Sequence, residues 1–169
     1  IDYDTDIREY IPEFPYEGIT TRLLLNHRSG LSRYESLADA KWPDRKKPFL
    51  NEDMIEYYAK HQPTPYFKPD GGFNYSNVNY ALLASVIERV SGMSFADYMR
   101  VKIFEPIGMD NSYIYEMNPD ANVSLYIEDV VQGYYMDRRR PMQAPNEYLN
   151  GVKGDKIMMS NTEDMFKFM

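Results

Sequence analysis

Hydrophobic residues recur along this chain at helical spacing in separate blocks, each with its own start or stop signal. Thr20 is placed to cap a short helix carrying Leu23, Leu24 and Leu25, which Gly30 ends in the position where a left-handed residue is favoured. Asn51 marks the next start. Leu50 before it and Ile55 after it form a hydrophobic staple, and Met54, Ile55 and Tyr58 give an apolar face as far as about His61. Tyr80, Leu83, Ala84, Ile87 and Val90 then follow the spacing of an amphipathic helix that stops at Gly92, with Tyr80 starting the buried face. Ser94 caps a further helix with Phe95, Tyr98, Met99 and Ile103 on its buried side, until Pro106 and Gly108 end it.

The remaining segments read differently. Between His61 and Asn74 lie Pro63, Pro65, Pro69 and the pair Gly71-Gly72, which exclude regular helix and a central strand and predict an ordered loop or a lid. Val123 to Tyr135 reads as one or two strands with tyrosine at alternate positions. Ser160-Asn161-Thr162-Glu163 is a capping box opening a helix with Met165, Phe166 and Met169 on it. Ile7, Tyr10 and Ile11 read as the tail of a helix whose earlier turns are missing. The expected fold class is mainly α with a few short β-strands (α+β). Residues 1–169 are expected to form a single helical subdomain, a cluster of helices cut from something larger.

Composition removes several classes of function. A net charge of -7 argues against nucleic acid as a partner, because phosphate binding needs a basic footprint. The basic run Arg138-Arg139-Arg140 reads as a solvated turn. The longest apolar-leaning run, Tyr80 to Ile87, is interrupted by Ser85 and falls far short of the roughly 20 residues of a membrane helix, so no transmembrane segment is expected. Asp2, Asp4 and Asp6 stand where a signal peptide would carry basic residues. Cysteine is absent, which removes disulfides, thiol nucleophiles and cysteine-ligated zinc. Only His27 and His61 could be imidazole ligands, and neither lies in a metal-binding pattern, so neither metal nor cofactor is expected. His27, after the run Leu23 to Leu25, reads as a hydrogen-bonded structural histidine at a helix end.

Direct signs of catalysis are sparse. No serine is followed three residues later by lysine, and no Lys-Thr-Gly, Lys-Ser-Gly or Gly-x-Ser-x-Gly occurs. The acid pairs Glu52-Asp53, Glu128-Asp129 and Glu163-Asp164 fit helix-dipole complementation better than acid/base chemistry. Tyr75-Ser76-Asn77 is a Tyr-x-Asn tripeptide, but with 16 tyrosines chance alone supplies about one such match, and Tyr148-Leu149-Asn150 is a second.

Context separates the two. Tyr10-Ile11-Pro12-Glu13-Phe14 and Gly18-Ile19-Thr20 through His27-Arg28-Ser29-Gly30-Leu31 resemble the "YLPEF…ITIRHLLTHTSGL" segment of the serine β-lactamase-like family, which holds class C β-lactamases, DD-peptidases (penicillin-binding proteins) and related esterases. Pro69-Asp70-Gly71-Gly72-Phe73-Asn74-Tyr75-Ser76-Asn77 with Tyr80 to Leu83 is similar to "PG..F.YSN.GY.LLG", and Val86 to Gly92 to "IIEKVSG". Ile103 to Met109 resembles "IF.PLGM", and Gly154-Asp155 through Phe168 resembles "GD.GIYST.EDL.KF". The blocks arrive in the family's order over nearly the whole chain.

The resemblance assigns the first Tyr-x-Asn and rejects the second. It implies that Tyr75 serves in proton transfer beside a nucleophilic serine and that Asn77 binds the acyl-amide group of the substrate, so both count as catalytic and Asn77 also as substrate-binding; Ser76 is a cap or spacer. It also implies that the Ser-x-x-Lys helix lies upstream of Ile1 and the Lys-Thr-Gly or His-x-Gly strand downstream of Met169. This chain is then expected to be a truncated fragment, inactive alone, of an extracytoplasmic hydrolase acting on a β-lactam, a D-Ala-D-Ala peptide or an ester. The alternative is a non-catalytic binding or structural module with the same fold. Cut edges would expose apolar surface and favour self-association.

Overall fold

Thr20 accepts a hydrogen bond at Oγ1 from the Leu23 amide at 3.3 Å, and that cap opens α1 (Thr21–Leu25) as expected. The computed structural model describes residues 1–123 and 130–169. Helix α1 ends at Asn26, earlier than the expected stop at Gly30, because His27 itself takes the left-handed conformation (φ 54). A helix that the apolar pattern did not announce follows, α2 (Tyr34–Lys41), whose N-cap residue Arg33 makes no side-chain cap. Next comes α3 (Asn51–His61), with Met54, Ile55 and Tyr58 buried as the periodicity required. Its first-turn carboxylate Asp53 accepts from the Leu50 amide at 2.8 Å, so Leu50 occupies the cap position. Asn51 is instead a buried cross-link: its Nδ2 donates to the carbonyls of Ala81 and Lys153, and its Oδ1 accepts from the Lys153 amide.

The long helix α4 (Asn77–Ser91) buries Ala84 and packs Leu83 and Ile87 as expected, but its deepest stripe lies to one side of the expected one. Val78, Ala81, Leu82, Ser85 and Val86 face the main core, while Tyr80 is 37% and Val90 50% exposed. The buried stripe holds Asn79 and Ser85, polar residues whose partners are supplied by other segments, so hydropathy alone rotated the predicted face. Gly92 (φ 68) ends α4 in the left-handed conformation.

Helix α5 (Phe95–Met99), capped by Ser94 through the Asp97 amide, continues as a π-type turn over Arg100–Phe104. The wider turn shifts the phase, so Phe104 joins Phe95 in a second small core with Ala84, Met109 and Ile114, and Met99 and Ile103 pack at its edge. Strand β1 (Tyr113–Ile114) pairs antiparallel with β4 (Met158–Met159). Strands β2 (Tyr134–Asp137) and β3 (Arg140–Gln143) form a separate exposed hairpin, turned by Arg138 and Arg139, both at positive φ. Of the expected strand region Val123 to Tyr135, residues 124–129, with the pair Glu128-Asp129, lie outside the described residues; β2 begins only at Tyr134.

Helix α6 (Thr162–Phe168) is capped by Asn161 through the Asp164 amide, one residue later than the expected box. Its apolar side chains point outward, with Phe166 76% exposed, and the residue it buries is Asp164. Burial opposes ionisation there, but the Ser112 hydroxyl, the Asn111 amide and the Lys167 ammonium outweigh it and hold the carboxyl below the ordinary range. A depressed folded-state value stabilises above the unfolded value and the benefit disappears as pH falls through the folded one. The melting temperature of the wild type is therefore expected to exceed that of Asp164→Asn by an amount that shrinks as pH is lowered from 5 to 2; a constant difference would contradict the assignment.

At the N-terminus, Ile7–Glu9 is a single 3₁₀ turn opened by Asp6, which accepts from the Arg8 amide, and not the tail of a longer helix. Ile7 and Ile11 nonetheless sit in the main core with Phe14, Leu24, Tyr58 and Leu82. Among the described residues the fold is mainly α with short strands, and no helix is long and apolar enough to cross a membrane.

Candidate functional site

The loop from Gln62 to Ser76 is ordered by the segment it crosses. Its amides at Tyr66, Asp70 and Asn74 donate to the carbonyls of Gly30, Arg28 and His27 at 2.8, 3.0 and 2.9 Å, and Arg28 adds a charged pair to Asp70. Four antiparallel-like anchors thus replace the regular ladder that the prolines forbid. Gly30 is required at the crossing: it has φ +76, and a Cβ there would stand 2.1 Å from the Phe67 carbonyl oxygen.

This anchoring delivers Tyr75-Ser76-Asn77 to the first turn of α4. His27 is the post behind it. Its Nδ1 accepts from the Ser76 amide at 3.3 Å and faces the Asn79 amide nitrogen at 3.1 Å, so both contacts require Nδ1 to be an acceptor. Asn79, fully buried, accepts at Oδ1 from the Ser29 hydroxyl at 2.6 Å. The imidazole also lies 4.5 Å from the Tyr75 ring and 5.2 Å from the Tyr80 ring, centre to centre. His27 is thus structural and hydrogen-bonded, as its position in the sequence suggested.

Asn79→Ala would strand the Ser29 hydroxyl and loosen His27. Its expected cost is about 1–3 kcal/mol, read as a lowered denaturation midpoint at unchanged slope; an effect within experimental error would remove the network from the reasons Tyr75 stays in place.

Tyr75 is 65% exposed although aromatic, and Asn77 is half-buried beside it. Together with Arg33, Glu35, Tyr66, Asn74 and Ser76 they line a groove of about 280 Å³. Asn77 Nδ2 donates to Glu35 Oε1 at 2.8 Å. Ser76 occupies the N-cap position of α4, but its hydroxyl makes no cap bond.

Glu35 and Arg33 were invisible to motif reading because the matching strings end at Leu31 and α2 has no capping signature. Their positions are nevertheless well supported: the Tyr58 hydroxyl donates to the Ser32 carbonyl at 2.5 Å, and the Tyr34 hydroxyl donates to Asp155 Oδ2 at 2.7 Å. Burial, with the Asp155 charge beside it, pushes the Tyr34 hydroxyl far above the ordinary phenol range, so it remains a donor. Lys156 lies over the Tyr34 ring and 2.5 Å from its oxygen.

The second Tyr-x-Asn is elsewhere. Tyr148 is buried and donates to Asp39, and Asn150 bonds Asn146 in a short turn. A wider hollow of about 840 Å³ between the α5 extension and β4 holds the hydroxyls of Ser112 and Ser160. These are bonded to each other, and Ser112 also donates to Asp164, so they anchor α6. Among the described residues no group of His, Asp or Glu could hold a metal ion.

The comparisons with known proteins agree with this frame. The family model described as Beta-lactamase matches residues 1–169. Penicillin-binding protein 4* of Bacillus subtilis is 36% identical over 98% of this chain, and the D-aminopeptidase of Cereibacter sphaeroides is 29% identical over 78%. The octameric penicillin-binding protein homologue from Pyrococcus abyssi superposes with a TM-score of 0.76 and 28% identity over 99% of this chain. The chain spans 38% of the length of the first relative, 24% of the second and 38% of the solved chain. With the family model matched from end to end and its helical architecture shared with penicillin-binding proteins, the chain belongs to the serine β-lactamase and penicillin-binding-protein family.

Proposed function

We propose that this chain forms one wall of the active site of a serine hydrolase that works through an acyl-enzyme on an amide or ester. Tyr75 is the proton-transfer residue and Asn77 the ligand for the acyl-amide group. The observation that carries this reading is the presentation of Tyr75: an exposed phenol, fixed from behind by a hydrogen-bonded histidine, on the same groove as the Asn77 amide. Aromatic rings at packing positions are buried, as Tyr34 and Tyr58 are, so a rigidly braced and exposed ring fits a surface that meets a substrate.

Among the described residues no serine or threonine hydroxyl bonds a lysine or histidine that could take its proton. Ser76 faces the His27 side only through its amide, and Ser112 and Ser160 are committed to Asp164 and each other. The family resemblance supports placing the nucleophile, its lysine and the oxyanion donors in segments outside residues 1–169, which on this reading are inactive alone. The names of the relatives, penicillin-binding protein and D-aminopeptidase, favour amide bonds in peptides or β-lactams as the substrates. The resemblance also supports an extracytoplasmic location for the complete protein.

The test is labelling with a fluorescent penicillin and a fluorophosphonate. The 169-residue chain alone is expected to remain unlabelled, and a complete polypeptide containing it to acquire one label per molecule. Stoichiometric labelling of the short chain would show a nucleophile within it, and a complete polypeptide that takes neither probe would leave the non-catalytic module as the better description.

A further inference from the structure

The segment from Lys153 to Ile157 is held more firmly than a connection needs. Asn51 accepts from the Lys153 amide at 2.7 Å and donates to its carbonyl at 3.0 Å, and the Tyr115 amide donates to the Ile157 carbonyl at 3.1 Å. Gly154 (φ +103) lies so close to α4 that a Cβ there would stand 2.4 Å from the Tyr80 carbonyl oxygen. Ile157 is β-branched yet left-handed, at φ 62, which is a strained conformation for such a residue. Strain of this kind persists only where the surroundings impose it.

Between these two points stands Asp155, with a side chain only 1% exposed. Its Oδ2 accepts from the Tyr34 hydroxyl at 2.7 Å, and its Oδ1 has no hydrogen-bond partner among the described residues. Burial holds the carboxyl above its ordinary range despite the Lys156 ammonium 3.4 Å away, which approaches the Tyr34 oxygen more closely, at 2.5 Å. A buried carboxylate with one oxygen unused contributes poorly to stability, because an apolar pair of similar shape would pack there without that cost. What the carboxylate does fix is the place of Tyr34.

Tyr34 is the first residue of α2, and Arg33 gives that helix no side-chain cap. The Tyr58 hydroxyl holds Ser32, ahead of the helix, while the helix itself is held at its first residue by Asp155. Glu35 projects about 100° further round the helix than Tyr34, into the groove, where its Oε1 accepts from Asn77 Nδ2 at 2.8 Å. A carboxylate only accepts, so this contact turns the Asn77 nitrogen toward Glu35 and its carbonyl Oδ1 away from it.

We propose that Asp155 and Tyr34 are positioning residues for the reaction: together they set the rotation of α2 that lets Glu35 orient the Asn77 amide for the substrate. The inference rests on the hydrolase reading above, in which Asn77 binds the acyl-amide group, and extends it to two buried residues that touch no substrate.

The experiment uses a complete polypeptide containing this chain and two acylating probes. A fluorescent penicillin carries an acyl-amide side chain; a fluorophosphonate has none, and so reports on the nucleophile and Tyr75 without Asn77. The paired variant Tyr34→Phe/Asp155→Leu removes both partners and leaves no buried carboxylate behind. It is expected to keep a cooperative melting transition and the wild-type fluorophosphonate rate. The penicillin concentration for half-maximal acylation should rise by about 3–10-fold, the size of one weakened hydrogen bond. Tyr34→Phe alone, with Lys156 still beside Asp155, should act in the same direction, and Asp155→Asn, which keeps an acceptor for Tyr34, should stay near the wild type. In an Asn77→Ala background the paired variant should add nothing further. Equal losses with both probes, or no change with penicillin where Asn77→Ala alone weakens it, would overturn the positioning role while the hydrolase reading stands. An Asn77→Ala variant that reacts with penicillin as the wild type does would overturn the role of Asn77, and this inference with it.

Discussion

Replacing Tyr75 with phenylalanine in a complete polypeptide containing this chain lowers the acylation rate constant by roughly 10²–10⁴-fold, the range for loss of a positioned acid/base group, and leaves the melting temperature unchanged. The basis is the way the ring is held. Its neighbours are the His27 and Asn79 network behind it and open groove in front, so phenylalanine keeps the ring packing and loses only the hydroxyl. If the phenol were merely a packing residue, rate and stability would both stay close to wild type. Stopped-flow labelling with a fluorophosphonate reads the rate. Asn77→Ala should separate from it by raising the concentration of amide substrate needed for half-maximal rate.

Gly30→Ala is the substitution with the largest expected effect on stability. Two costs combine there: a left-handed backbone at φ +76, about 1–2 kcal/mol for a residue with a Cβ, and a collision with the Phe67 carbonyl oxygen at 2.1 Å. The neighbouring loop can relieve the collision only by giving up the Tyr66 to Gly30 hydrogen bond. With overpacking at about 1–3 kcal/mol, the total is roughly 2–5 kcal/mol, a large part of the stability of an ordinary domain. Gly92→Ala is the natural control. Gly92 is also left-handed (φ +68), yet a Cβ there would meet nothing within 4 Å, so only the backbone cost applies. Denaturation midpoints should fall clearly further for Gly30→Ala than for Gly92→Ala; equal shifts would mean that the loop crossing does not depend on close approach.

The difference between what the residues announced and what they form has a consistent physical origin. Thr20, Ser94, Gly92 and the apolar positions of α3 are local signals, and each acts through atoms a few residues away, so reading them from sequence succeeds. The face of α4 was read only in part, at Leu83, Ala84 and Ile87, because its deepest residues include Asn79 and Ser85, whose burial is made tolerable by Ser29, His27 and Asn51 from distant segments. Helix α2 escaped notice because Arg33 gives no cap; its first turn is held by Tyr34 bonding Asp155 across the fold. The hairpin of β2 and β3 turns on Arg138 and Arg139 at positive φ, without the Asn-Gly or Asp-Gly pair that would mark it.

The candidate site divides in the same way. Tyr75 and Asn77 are candidates from sequence because their tripeptide sits in an ordered series of matching strings, while Glu35, which touches Asn77, lies beyond any of them. Pairing between segments 42 residues apart leaves no trace in local pattern. His27 lay between these extremes: its place after α1 suggested a structural role, and its contacts with Ser76 and Asn79 explain what that role supports.

The most direct test of the division of labour is to find where the acyl group goes. A complete polypeptide containing this chain should be acylated with a fluorophosphonate, digested and mapped by mass spectrometry. The adduct is expected on a serine outside residues 1–169, with its yield per unit time reduced by Tyr75→Phe. An adduct on Ser76, Ser112 or any other hydroxyl within 1–169 would contradict the assignment of this chain as the wall that carries Tyr75 and Asn77 but not the nucleophile.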